Sequence, residues 1–290
     1  MPLITIGISF YNPGKHFIYA IKSVFAQTFN DWELILIDDG SNDDSLITAQ
    51  KIEDKRVKVI YDGLHLGLAN RLNQISKLAR GNFIARMDAD DVMHPKRIEE
   101  QLKIAMQYDY DVIGTSAYTI DEKSMVRGIL KPLYYIENPK ILLEKAYFVH
   151  PTIFATKAWF MAHKYDDKFV RAEDRELWCS AYKDSKYFNM SEPLYFYRQE
   201  GNFSLKKYLR SKMTNIKIII KHGKKYANYL GRTRLIIINI LKMAVYILFT
   251  AINKHGKLVE ARSMPIDAEE KERVTNVLNI VNYTKIPGLD

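Results

Sequence analysis

The sequence predicts an α/β fold, a mostly parallel sheet flanked by helices with a helical extension at the C-terminus. Three observations predict it. Short apolar runs alternate with helical patterns over the first 120 residues, the signature of strand–helix–strand units with right-handed crossovers. Apolar residues make up 47% of the 290 residues and charged ones 27%, enough for a sizeable core and too much for a disordered or disulfide-stapled chain. A nearly uncharged run of eighteen residues, 235–252, sits late in the chain inside a strongly basic stretch.

The elements follow in order. Residues 4–10 form an apolar run that reads as a buried strand, and Tyr11-Asn12-Pro13-Gly14 as a turn. Phe17, Ala20, Ile21, Val24 and Phe25 then recur at helical spacing. A second strand is predicted at 33–37, a polar loop at 38–44 and a short helix after it; a third strand follows at 57–61 and a helix at 67–78. The fourth strand, 83–87, ends at Asp88-Ala89-Asp90-Asp91. Pro95 suits the first turn of a helix whose stripe is Ile98, Leu102 and Ala105, and 111–118 reads as a further strand. Between 120 and 200 the pattern loosens and aromatic residues crowd in, among them Tyr134, Tyr135, Tyr147, Phe148, Trp159, Trp178 and Tyr195. Such rings suit a core first and a ligand face second. The expected division is a domain at 1–204, with a nucleotide-binding half at 1–120 and an acceptor half at 121–204, followed by a basic helical extension at 205–290.

The net charge of +9 is local. Residues 201–262 hold fourteen basic residues and one acid, Glu260, which leaves the rest of the chain slightly acidic. The charge therefore describes one surface rather than a nucleic-acid partner for the whole protein. The single cysteine, Cys179, cannot bridge internally, so a reducing, cytoplasmic setting is expected, and no basic stretch precedes the first apolar run as a secretory signal requires.

In a parallel sheet, ligands bind outside the C-terminal ends of the strands. Ser9, Tyr11 and Asn12 follow the first strand, Asp38 and Asp39 the second, and Asp88, Asp90 and Asp91 the fourth. Turn chemistry alone accounts equally well for Asp38-Asp39-Gly40-Ser41. The group at 88–91 is sharper, because three carboxylates in four residues repel one another unless a cation lies between them. Mg2+ or Mn2+ takes one or two carboxylates plus phosphate oxygens, so these residues predict a metal holding a diphosphate; the alternative is an acid-decorated helix start. The sequence contains neither G-x-G-x-x-G after the first strand nor G-x-x-x-x-G-K-[ST], which argues against dehydrogenases and P-loop enzymes. Glu173 and Asp174 precede the apolar stripe Leu177, Trp178 and Ala181 and, on this fragment alone, read as helix capping first and as a general base second. His150, before Pro151, reads as structural first and functional second.

Together these segments resemble glycosyltransferase family 2. The resemblance rests on Thr5 to Asn12, on Ser23 to Ile35, on Ile37-Asp38-Asp39-Gly40-Ser41 and on Ala79 to Asp91, with His150-Pro151-Thr152 and Glu173-Asp174 at corresponding places, and it covers about residues 3 to 204. It implies a GT-A, Rossmann-like fold and an inverting, metal-dependent transfer of one sugar from a nucleotide diphosphate sugar such as a UDP-sugar. By position, Ser9, Tyr11 and Asp39 would hold base and ribose, Asp88 would touch ribose or metal, and Asp90 would be the main ligand of Mn2+ or Mg2+. Asp174 would be the catalytic base with Glu173 beside it, His150 would stand on the acceptor side, and Arg198 would close over the diphosphate. Gln199-Glu200 follows Tyr197-Arg198 where the family commonly has a histidine, and the Q-x-x-R-W signature of processive synthases is missing. A metal-dependent nucleotidyltransferase, and a degenerate transferase serving as a membrane-docked binding protein, are the alternatives.

In the extension, Asn239, Lys242, Tyr246 and Asn253 fall on one narrow helical face, and the rest of the circumference is Ile, Leu, Val, Met and Phe. Flanked by lysines and arginines, this helix suits the plane of an anionic inner membrane surface. A core or dimer helix and a true span are the other readings. The protein is thus expected to attach peripherally to the inner face of the cell membrane through 205–262 and to act on a glycan or lipid-linked glycan of a surface polysaccharide.

Overall fold

The computed structural model describes residues 1–199, 204–251 and 263–289. Four strands run parallel at its heart: β1 (Ile4–Phe10), β2 (Trp32–Asp38), β3 (Val57–Ile60) and β4 (Phe83–Asp88), in the order β3-β2-β1-β4. The apolar runs of β1 and β2 are buried on both faces because helices cover both sides, while β3 forms the half-buried edge. On one face lie α1 (Phe17–Phe25) and α4 (Arg97–Gln107), whose Phe17, Ile21, Val24 and Ile98 pack on Ile8, Leu36 and Met87. On the other lie α3 (Leu68–Leu78), α5 (Lys157–Ala162) and α6 (Glu173–Ala181), which close over Ile35 and Ile37 with Leu72, Ile75, Trp159 and Trp178. Helix α3 comes so close that a Cβ at Gly7 on β1 would stand 2.5 Å from Ile75 Cγ2. The short α2 (Ser45–Gln50) joins β2 to β3.

Beyond β4 the sheet turns mixed. The two-residue β5 (Val92–Met93) pairs antiparallel with β9 (Tyr187–Arg198), β6 (Val112–Ile120) runs parallel to β9, and β7 (Val126–Leu130) and β8 (Phe154–Thr156) are antiparallel to β6. All five strands expected up to residue 118 are present; β5, β7, β8 and β9 were not expected. The aromatic residues between 120 and 200 fill this second half. Tyr147, Phe148, Trp159, Trp178 and Tyr195 are buried, whereas Tyr135 stands out into solvent.

The C-terminal region has two parts. Helices α7 (Leu205–Tyr226) and α8 (Tyr229–Ala251) form an antiparallel hairpin, with Tyr208 stacked on Tyr246 at 3.7 Å between ring centroids. The last helix, α9 (Ala268–Tyr283), returns to the sheet, where Val274, Leu278 and Val281 pack with Tyr118, Ile120 and Phe196. Residues 252–262, with Asn253 and the second basic flank, lie outside the described residues, as does Glu200.

Candidate active site

The parallel register fixes which strand ends meet. Ser9 on β1 is the Cα partner of Asp88 on β4, and Phe10 is the partner of Asp38 on β2, so the polar groups that follow these strands share one edge. There a cavity of about 280 Å3 opens, and Ser9, Tyr11, Asp88, Asp90 and Arg198 all line it, together with His16 and Glu122. Five of the residues expected at the donor site therefore converge.

Asp39 does not line the cavity. Its carboxylate accepts hydrogen bonds from Leu66 N (2.8 Å), Gly67 N (3.0 Å) and Arg71 Nε (2.8 Å), which consumes most of its accepting capacity. Gly67 can enter this arrangement because φ there is 85°. The loop that Asp39 pins carries His65, whose ring lies 4.4 Å from that of Tyr11. Asp39 thus builds the rim on which Tyr11, half exposed, presents its face. Asp38 performs turn chemistry, accepting from Ser41 N at 3.0 Å.

The three aspartates after β4 face different surroundings. Asp88 is paired with the buried Arg86. The Asp90 carbonyl accepts from Arg198 Nε at 2.7 Å. Asp91 is buried, with one oxygen accepting from Arg198 N at 2.6 Å, and burial together with repulsion from Asp90 and Asp88 pushes its carboxyl well above the usual range. Its bond to the Arg198 backbone makes it a structural link between β4 and β9. Arg198 also donates to the Asp121 carbonyl (2.6 Å) and to Ser124 Oγ (3.1 Å), tying β9 to the β6–β7 turn above the cavity.

Asp88 and Asp90 are the two carboxylates of this group that line the cavity. Among the described residues, no group of three or more His, Cys, Asp or Glu side chains comes together as a closed metal site. The donor set of Asp88 and Asp90 fits a hard divalent ion that completes its shell with water and phosphate oxygens.

Glu173, Asp174 and His150 stand beside the cavity rather than in it. Arg86 joins the two groups, for its charge acts on both Asp88 and Glu173. Two of its guanidinium nitrogens, Nε and Nη1, have no partner among the described residues. Glu173 and Asp174 occupy the first turn of α6. Burial, with repulsion from Asp174, pushes Glu173 up to about 6, and burial raises Asp174 too. Carboxyls shifted in this way are suited to taking a proton near neutral pH. His150 Nε2 lies 2.9 Å from the Tyr165 hydroxyl, and burial with Arg86 nearby keeps the ring neutral.

Sequence reasoning missed Arg86, His65 and Tyr165. Arg86 sits two residues before Asp88 within the fourth strand, where its alternation with Ile84 and Met87 gives no sign of its inward direction. The His65 and Tyr165 pairs join residues 54 and 15 positions away and leave no local pattern.

Comparison with known proteins identifies the family and the fold. A model described as glycosyl transferase family 2 matches residues 5–164. The O-antigen biosynthesis glycosyltransferase WbnJ of Escherichia coli is 30% identical over 207 residues, covering 68% of this chain and 80% of that protein. The crystal structure of S. aureus TarS 1-349 in complex with UDP matches with a TM-score of 0.61 at 16% identity, over 96% of this chain and 79% of that one. The mannosyltransferase PcManGT from Pyrobaculum calidifontis, in complex with GDP-Man and Mn2+, matches with a TM-score of 0.57 at 12% identity, over 97% and 85% of the two chains. At these identities the two structures speak for the fold alone, the GT-A arrangement of a mixed sheet with flanking helices. The family model spans more than half of the chain, and with the match to WbnJ it establishes that this protein belongs to glycosyltransferase family 2.

Proposed function

We propose that the protein moves one sugar from a nucleotide diphosphate sugar, such as a UDP-sugar, to a hydroxyl of a lipid-linked glycan, with inversion, during synthesis of a surface polysaccharide. The observation that carries this reading is the convergence of Ser9, Tyr11, Asp88, Asp90 and Arg198 on one cavity, with Glu173 and Asp174 beside it. The half-exposed Tyr11 ring, backed by His65, offers its face to a nucleotide base. Asp88 and Asp90 would hold Mn2+ or Mg2+, which when bound offsets the charge that develops on the leaving diphosphate. Asp174, with Glu173 beside it, takes the proton of the attacking hydroxyl, since a sugar hydroxyl is a poor nucleophile on its own. Direct attack opposite the leaving group inverts the anomeric centre and needs no covalent intermediate; Cys179 is buried, and burial pushes its thiol up to about 12. The relative named for O-antigen biosynthesis and the neighbours bound to UDP and to GDP-Man with Mn2+ support the acceptor class, the donor class and the metal.

A screen of UDP-, GDP- and dTDP-sugars for Mn2+-dependent donor hydrolysis tests the reading. Hydrolysis of one nucleotide class, lost with chelator, is the expected result. Hydrolysis of none, or hydrolysis indifferent to chelator, contradicts it.

The membrane part of the proposal rests on α8. Residues Tyr229–Thr250 are long and apolar enough to cross a membrane, with a mean hydropathy of 1.7, and only 6% of that stretch is buried. Such exposure argues against a core helix. Tyr246 leans toward α7, while Ile240, Leu241 and Leu248 are each more than half exposed. The apolar side faces outward, the reverse of a soluble surface helix. Because α8 lies along α7, and α7 packs on α6, the hairpin follows the domain surface, so we place it in the membrane plane rather than across it. Exchanging Ile240, Leu241 and Leu248 for glutamate should lower partitioning into phosphatidylglycerol vesicles by roughly three orders of magnitude or more, since each large apolar side chain contributes about 1.5–3 kcal/mol when buried and about 1.4 kcal/mol is tenfold. Cosedimentation measures it, and unchanged binding contradicts the assignment.

A further inference from the structure

We infer that α7 is the splint that fixes the turn bearing Glu173 and Asp174, with Thr214 and Ser211 as positioning residues. The inference rests on the reading of Asp174 as the base and goes beyond it.

The start of α6 lacks the usual means of being fixed. Ala172 occupies its N-cap position, with no side-chain cap hydrogen bond, where a serine, threonine or aspartate ordinarily satisfies the first N–H groups. Arg171 before it stands at φ 68°, in the left-handed region that disfavours a residue with a long side chain. A turn of this kind persists only where its surroundings hold it.

The surroundings here come from one face of α7. Ser211, Thr214, Ile218, His222 and Tyr226 recur at three- and four-residue steps and so share a side of the helix. Thr214 Oγ1 donates to the Val170 carbonyl at 2.9 Å, sharing its hydrogen with the Arg210 carbonyl at 3.0 Å. Ser211 Oγ reaches the Arg171 carbonyl at 3.4 Å. Lys221 Nζ donates to Asp166 (3.0 Å) ahead of the turn and to Glu176 (2.7 Å) within α6. His222 Nε2 lies 2.9 Å from the same buried Glu176 carboxylate, and the Tyr226 hydroxyl donates to the Cys179 carbonyl at 2.6 Å. The segment before α6, its first turns and its last are therefore all gripped by a helix some forty residues further on. The same helix carries α8, so the proposed membrane contact and the proposed base share one support.

The test uses the full chain with Ser211→Ala and Thr214→Val together. Amide hydrogen exchange at 166–176 should accelerate, the Kd for UDP with Mn2+ should stay at the parent value, and kcat for transfer should fall roughly a hundredfold, the scale of a small misplacement of a catalytic group. Restoring a hydroxyl with Thr214→Ser should recover the rate. Parent-like exchange and kcat overturn the inference, and so does a weakened UDP affinity that accompanies the loss of rate. A parental rate in Asp174→Asn would defeat the base reading instead; accelerated exchange at 166–176 then still reports the hold of α7 on the turn.

Discussion

Replacing Asp90 with alanine should abolish metal-dependent nucleotide binding while leaving the fold intact. The side chain lines the donor cavity, and the loop that bears it is held by other groups: Arg198 hydrogen-bonds to the Asp90 carbonyl and to the Asp91 carboxyl, neither of which the substitution removes. Asp88 and Asp90 are the two aspartates that line the cavity, whereas the buried Asp91 is not part of its lining, so the substitution removes one of the two proposed ligands. Loss of a ligand that contributes several kcal/mol of charge stabilisation predicts a fall in UDP affinity of roughly a thousandfold in the presence of Mn2+. Affinity in the presence of chelator should be the same in parent and variant. Calorimetric titration of UDP with and without Mn2+ measures both, and a parental Mn2+ effect in the variant contradicts the assignment.

Asp174→Asn separates binding from chemistry. The amide keeps the size and much of the hydrogen bonding of the carboxylate but cannot accept a proton, so UDP affinity should be unchanged while transfer slows by roughly 10²–10⁴-fold. Parent and variant should also differ in pH dependence. A base works only when unprotonated; burial has pushed Glu173 up to about 6 and raised Asp174 beside it, so the parental transfer rate should begin to fall at a pH above the ordinary aspartate range. For stability the same shift has the opposite sense. A carboxyl raised from 4.5 to about 6 on folding favours the protonated fold, a contribution fully present below 4.5 and lost as pH rises through 6. A pH–rate profile and a pH series of melting temperatures read the two effects separately. An Asp174→Asn variant that transfers at the parental rate sinks the base assignment.

The donor half of the site was legible because its signals are local. A buried parallel strand is a short apolar run, and the polar residues after it lie at its C-terminal end by construction, so Ser9, Tyr11, Asp88 and Asp90 could be located before any contact was known. Asp39 shows the limit of that logic: its place at a strand end was evident, but its partners Leu66, Gly67 and Arg71 are about thirty residues on and turn it away from the cavity. The second half of the sheet was harder. In β9 the register slips between Met190 and Pro193, leaving Ser191 and Glu192 outside the pairing, so neither alternation nor a clean apolar run survives. Strands β5 and β8, with two and three residues, are shorter than one period test requires. Helix α9 buries only Val274, Leu278 and Val281 among many charged neighbours, too thin a stripe to stand out. The apolar run in α8 was plain from the sequence; that Tyr246 turns inward against α7 while Lys242 stays exposed depends on the hairpin, where Tyr208 stacks on Tyr246.

At the centre of the account is one cation shared by Asp88, Asp90 and the diphosphate of a sugar donor. Anomalous diffraction from crystals grown with Mn2+ and UDP measures this directly. A single manganese peak within bonding distance of the Asp90 carboxylate and of the UDP phosphates, with the base against Tyr11, is the expected result. Manganese and UDP found together at another part of the surface, with Asp88 and Asp90 facing neither, would contradict it.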